Sequence, residues 1–102
     1  MHLVQILLPL NDPDGRPFPR AHYDGLALQL TERFGGVTAY TRAPAVGLWE
    51  DGSGDKVHDQ VVVYEVMAEP LDRDWWATLR RELEARFEQD ELVIRAHPIE
   101  RL

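Results

Sequence analysis

An α+β sandwich, one four-stranded antiparallel sheet with two helices on one face, is the fold class that this 102-residue sequence predicts. Three observations carry the prediction. Two stretches, Tyr23 to Phe34 and Trp76 to Phe87, place apolar residues at helical spacing. Four runs rich in Val, Ile, Leu and Thr read as strands. Along the chain they alternate as strand, helix, strand, strand, helix, strand, and two strand-helix-strand halves close most simply on a single antiparallel sheet.

Leu3 to Leu8 is an apolar run ended by Pro9; its length and the proline favour a strand, and its continuous apolar character a central one. Asn11 to Pro17 is dense in turn formers and reads as a loop. Pro19 suits the first turn of a helix, where its missing N–H costs nothing. Tyr23, Leu26, Ala27, Leu30 and Phe34 form that helix's apolar stripe, and Gly35-Gly36 stops it. Gly25 weakens the middle of this helix by about 1 kcal/mol relative to Ala. It points to a close approach by a neighbouring element.

Val37 to Thr41 is a second strand. Pro44 interrupts it, and Ala45 to Glu50 continues it after a bend or bulge, as an edge strand permits. Asp51 to Asp55 forms the hairpin tip. Gln60 to Ala68 is the strongest strand in the chain. Asp72 is an N-cap, with Asp74 complementing the helix dipole. Trp76, Leu79, Leu83 and Phe87 then form a second helical stripe, with Arg80, Arg81, Glu82, Glu84 and Glu88 on a solvated face. Glu91 to His97 is the last strand, closed by Pro98.

A chain of this length supports one core, so residues 1–102 are expected to form one domain. The net charge of −7, from 18 acidic and 11 basic side chains, argues against nucleic acid and against an anionic membrane surface. No cysteine is present, which excludes disulfides, thiolate chemistry and thiolate metal sites. The apolar N-terminal run is too short to span a bilayer and lacks the pattern of a secretion signal. A cytoplasmic location is expected.

Several short motifs run through this frame: Arg33-Phe34-Gly35-Gly36-Val37-Thr38, Gly47-Leu48-Trp49, Gln60-Val61-Val62-Val63, and Arg86-Phe87-Glu88-Gln89 ahead of Leu92-Val93-Ile94. Over the C-terminal two-thirds of the chain they resemble a family of small uncharacterised bacterial proteins with a ferredoxin-like layout. The wider resemblance is to the ferredoxin-like domains that dimerise through their sheets, the dimeric α/β barrels. That resemblance implies a fold and a homodimer. It implies no activity, no cofactor and no catalytic residues.

Chemistry-bearing motifs are missing from the sequence. It holds no phosphate-binding glycine loop, no G-x-S-x-G elbow and no H-E-x-x-H pair. RNA-binding sheets of this layout stack bases within a basic motif, and Val61 to Met67 has neither Lys nor Arg. No pair among His2, His22, His58 and His97 has metal-ligand spacing on one element, so no metal is expected. His22 and His58 lie in polar surroundings and read as surface residues. Trp76 belongs to the core stripe, Trp75 points off it toward a partner or the sheet edge, and Trp49 lies near the hairpin tip.

Strand parity is more informative, because alternate residues face opposite sides of a sheet. Val62, Tyr64, Val66 and Ala68 share one face, and Val61, Val63, Glu65 and Met67 the other. With the usual strand order of fourth, first, third, second, Arg95, Gln5 and Glu65 form a lateral row. Tyr40 or Thr38 extends it, and His97 lies nearby. The candidate face is therefore Gln5, Tyr40, Glu65, Arg95 and His97. Two readings compete for it. The first is a sheet-to-sheet homodimer interface, or a face for a protein partner, in which Glu65 pairs with Arg95 or with a partner chain. The second is a pocket for a small molecule, enzyme or binder, with a carboxylate and an imidazole available for proton transfer. Leu3, Leu7, Val61, Val63 and Met67 on the same face are too apolar for plain solvent, which favours cover by a partner.

Overall fold

The computed structural model describes the backbone of residues 1–50 and 56–102, and side chains of residues 1–41 and 60–102. The elements are β1 (His2–Pro9), α1 (Arg20–Phe34), β2 (Thr38–Glu50), β3 (Lys56–Ala68), α2 (Arg73–Arg86) and β4 (Ile94–Pro98). The sheet has the order β2-β3-β1-β4, with every neighbouring pair antiparallel. This is the ferredoxin-like arrangement that element order and strand pattern predict. The expected tip at Asp51–Asp55, and the side chains of Trp49 and His58, lie outside the described residues.

Local chemistry explains each boundary. In the loop after β1, Asp12 Oδ1 accepts from the backbone N–H of Asp14 and of Arg16, both at 2.9 Å. Gly15 sits at φ 82°, a left-handed conformation that favours glycine. The loop returns the chain so that the Phe18 N–H donates to the Leu10 carbonyl at 3.1 Å. Pro19 then occupies the N-cap of α1 and not its first turn; its ψ of 140° is extended, and no side chain caps the helix there. At the other end, Gly35 takes φ 82° and donates to the Thr31 carbonyl at 2.8 Å, the expected glycine stop.

The register of β2 on β3 shifts between Tyr40 and Ala45, the bulge expected around Pro44. Asp72 caps α2 by accepting from the Trp75 N–H at 3.1 Å. That helix ends with Glu88 at φ 52° while Gln89 N–H donates back to the Glu84 carbonyl at 2.9 Å, a Schellman-type ending on a residue other than glycine. The last strand is shorter than Glu91–His97. The paired register begins at Ile94, although the Val93 carbonyl still accepts from the Leu7 N–H at 3.1 Å; the Leu92 N–H, on the outer edge, donates to the Glu84 carboxylate at 3.0 Å.

Both helices cover the Val4, Ile6, Leu8, Val62, Tyr64 and Val66 face of the sheet. Leu26 and Leu30 come from α1, and Trp76, Leu79 and Leu83 from α2, with Phe87 just past its end; all are buried. Full burial of each large side chain contributes about 1.5–3 kcal/mol. Two further readings of the sequence need correction. His22 is half-buried, stacked on Phe18 at 5.9 Å and edge-on to Phe87 at 5.5 Å, because one helical turn carries it back over the loop that precedes α1. Gly25 meets nothing: a Cβ built there has open space around it, so no neighbour approaches closely. Trp75 packs against Phe34 and Trp76, with the Arg33 guanidinium 4.7 Å above its ring.

Candidate functional site

The uncovered face of the sheet carries the candidate site. Strand pairing sets Gln5 of β1 directly between Glu65 of β3 and Arg95 of β4. Thr38 of β2 is opposite Glu65, whereas Tyr40 is opposite Val63. The lateral row drawn from strand parity is therefore a property of the register.

Side-chain hydrogen bonds run along the row in one direction. Arg95 Nε donates to Gln5 Oε1 at 2.9 Å. Gln5 Nε2 donates to Glu65 Oε2 at 3.1 Å. The Tyr40 hydroxyl donates to Glu65 Oε1 at 2.5 Å, reaching diagonally from the neighbouring register position. Charged acceptors make the stronger hydrogen bonds, so Glu65 anchors two neighbours at once. Glu65 and Arg95 do not pair directly within the chain, because Gln5 occupies the strand between them and relays the contact. Of the two residues offered to extend the row, Tyr40 makes the hydrogen bond. His97 lies on the same face opposite Leu3 and is exposed; among the described residues it makes no hydrogen bond to the row.

Electrostatics follow from the geometry. The hydrogen bond to Glu65, and then the negative charge of that carboxylate, hold the Tyr40 phenol above its ordinary pKa. Arg95 has no ion-pair partner among the described residues, so its terminal nitrogens are available to an incoming carboxylate. Around the row stand Leu3, Leu7, Val61 and Val63, all partly exposed, and Met67, 46% exposed. The face therefore combines an apolar surround with a polar stripe, basic at its β4 end and acidic on β3. Among the described residues no group of three or more His, Asp or Glu side chains is placed to hold a metal ion.

No family model matches the chain, and no curated protein is similar to it. Solved structures are. A divalent cation tolerance protein (Cut A1) from Thermus thermophilus superposes with a TM-score of 0.63 at 19% identity, covering 97% of this chain and 84% of that one. A phage SAM lyase in complex with S-methyl-5'-thioadenosine superposes with a TM-score of 0.62 at 19% identity, covering 94% and 79%. The same lyase in its apo state gives 0.61 at 15% identity. The chain shares their fold. The ferredoxin-like resemblance read from the sequence stands at that level.

Two clefts stand out among the described residues. One of about 150 Å³ lies at the β4 edge beside Trp76 and Ile94. A larger one, about 390 Å³, opens between α1 and the β2–β3 side of the sheet. The sequence reading missed the second: it places Tyr23 in the apolar stripe of α1 and Tyr64 on one face of the third strand, and it does not single out Asp24.

Proposed function

We propose that this chain is a noncatalytic, homodimerising module that assembles through its open sheet face. The observation that carries the reading is the polarity of the row. Arg95 and Glu65 stand on either side of Gln5, about 10 Å apart across two strand spacings. A two-fold axis along β1 at Gln5 would set Arg95 of one copy over Glu65 of the other, and Leu3 and Leu7 against their own kind. Such an isologous contact needs a self-complementary patch, and this one is self-complementary in both charge and apolarity. The lack of cysteine and the excess of acidic groups fit a cytoplasmic setting.

Charge reversal tests the reading. Glu65→Arg alone and Arg95→Glu alone are expected to place like charges in contact and shift the protein toward monomer. The double variant restores opposite charges and is expected to restore the dimer. If the double variant is no better assembled than the singles, the two-fold arrangement is wrong.

A small-molecule enzyme or binder is the second reading. It is favoured by Glu65 and Arg95 facing outward together, and by the likeness in fold to a lyase whose structure holds S-methyl-5'-thioadenosine. A site of that kind would be enclosed between copies, and the same charge reversals would remove it.

A further inference from the structure

The cleft between α1 and the β2–β3 side of the sheet lies on the opposite side from the proposed interface. Its volume of about 390 Å³ falls within the ordinary range for a small-molecule site. Leu10, Ala39 and Val62 give it apolar walls, and the rings of Tyr23 and Tyr64 stand 6.4 Å apart beside them.

Its two tyrosines differ in how their hydroxyls are used. The Tyr23 hydroxyl donates to the Pro9 carbonyl at 2.6 Å. Tyr64 is only 7% exposed, yet its hydroxyl has no hydrogen-bond partner among the described residues. The oxygen itself is open to the cleft and not sealed in the core, so its O–H is free to donate to a ligand that enters. Burial first, and then the negative charge of Asp24, hold this phenol above its ordinary pKa, so it remains a donor. Asp24 lines the same cleft, and its contact with Arg20, at 3.9 Å, is a weak, exposed pair. One donor and one anionic acceptor thus meet at an apolar, aromatic-walled cleft.

We infer that the cleft binds a planar heterocyclic amine, its ring nitrogen accepting from the Tyr64 hydroxyl and its adjacent amino group donating to Asp24. A flat ring suits the tyrosine-lined wall. Arg20 also lines the cleft, but its side chain is 93% exposed and lies beside Asp24, so the pair together with the net charge of −7 gives an anionic ligand no advantage. This site is independent of the dimer: a monomeric wild type would leave it standing.

The test is an NMR titration of the full chain, labelled in its aromatic rings, with 4-aminopyrimidine and with pyrimidine, which lacks the amino group. The amine is expected to shift the Tyr64 and Tyr23 ring signals saturably. Pyrimidine should bind about fivefold more weakly, the effect of losing one hydrogen bond. Tyr64→Phe and Asp24→Asn should each weaken the amine by a similar factor. The Tyr64 hydroxyl makes no internal bond among the described residues, so its removal leaves the packing in place. If Tyr64→Phe nevertheless fails to fold, the exposed Asp24→Asn carries the comparison. Absence of saturable shifts, equal binding of the two probes, or amine binding untouched by both substitutions would overturn the proposal.

Discussion

Glu65 is the residue on which the open face turns. Its carboxylate accepts from Gln5 on one side and Tyr40 on the other, so each neighbour's side chain is fixed by a charge, not by burial. A titration follows from this. The raised Tyr40 phenol ionises above the usual value of about 10. A group whose folded pKa lies above its unfolded value stabilises the fold below the unfolded pKa, and that contribution is lost as pH rises through the folded one. On the alkaline side, the bond between Tyr40 and Glu65 therefore supports the sheet at neutral pH and is lost as the raised phenol ionises. Absorbance titration of Glu65→Gln is expected to show one phenol moving back toward the ordinary value. An unchanged titration would mean that the carboxylate does not hold Tyr40.

The secondary-structure elements differ in how plainly the sequence announces them. Strict spacing made α2 legible: Trp76, Leu79, Leu83 and Phe87 recur at three- and four-residue steps, and all four are buried. The shorter β4 was not legible, because Leu92 and Val93 are as apolar and strand-like in sequence as Ile94, where the paired register begins. On the open face, period-two alternation was enough to bring Gln5, Glu65 and Arg95 together. Tyr40 is in the face named from sequence, but parity does not specify how it joins the row: it reaches Glu65 diagonally beside a bulge, while Thr38 stands directly opposite. The cleft escaped because its lining is spread over the loop after β1, α1, β2 and β3, with one to three residues from each. Two glycines in and after α1 make opposite predictions at this scale. Gly25 lies mid-helix with open space around its Cβ position, so Gly25→Ala is expected to stabilise by roughly 0.5–1 kcal/mol. Gly35 holds φ 82°, so Gly35→Ala should destabilise by roughly 1 kcal/mol. Thermal or urea denaturation of the two variants checks both signs.

At the scale of the whole molecule, the sheet divides the chain into two environments. Helices seal one side into the core and leave the α1 cleft at its margin. The other side is an apolar surface crossed by a polar stripe with a basic and an acidic end. Surfaces of that composition on a small domain are the ones that partners cover. The proposed cover is a second copy of this chain. The measurement that decides it is the solution mass, by light scattering on a sizing column, of the wild type and of Val63→Glu. Val63 sits between Leu7 and Tyr40 in the register, at the middle of the apolar surround. A dimeric wild type and a folded, monomeric Val63→Glu are the expected result. A wild type that elutes as a monomer would contradict the dimer.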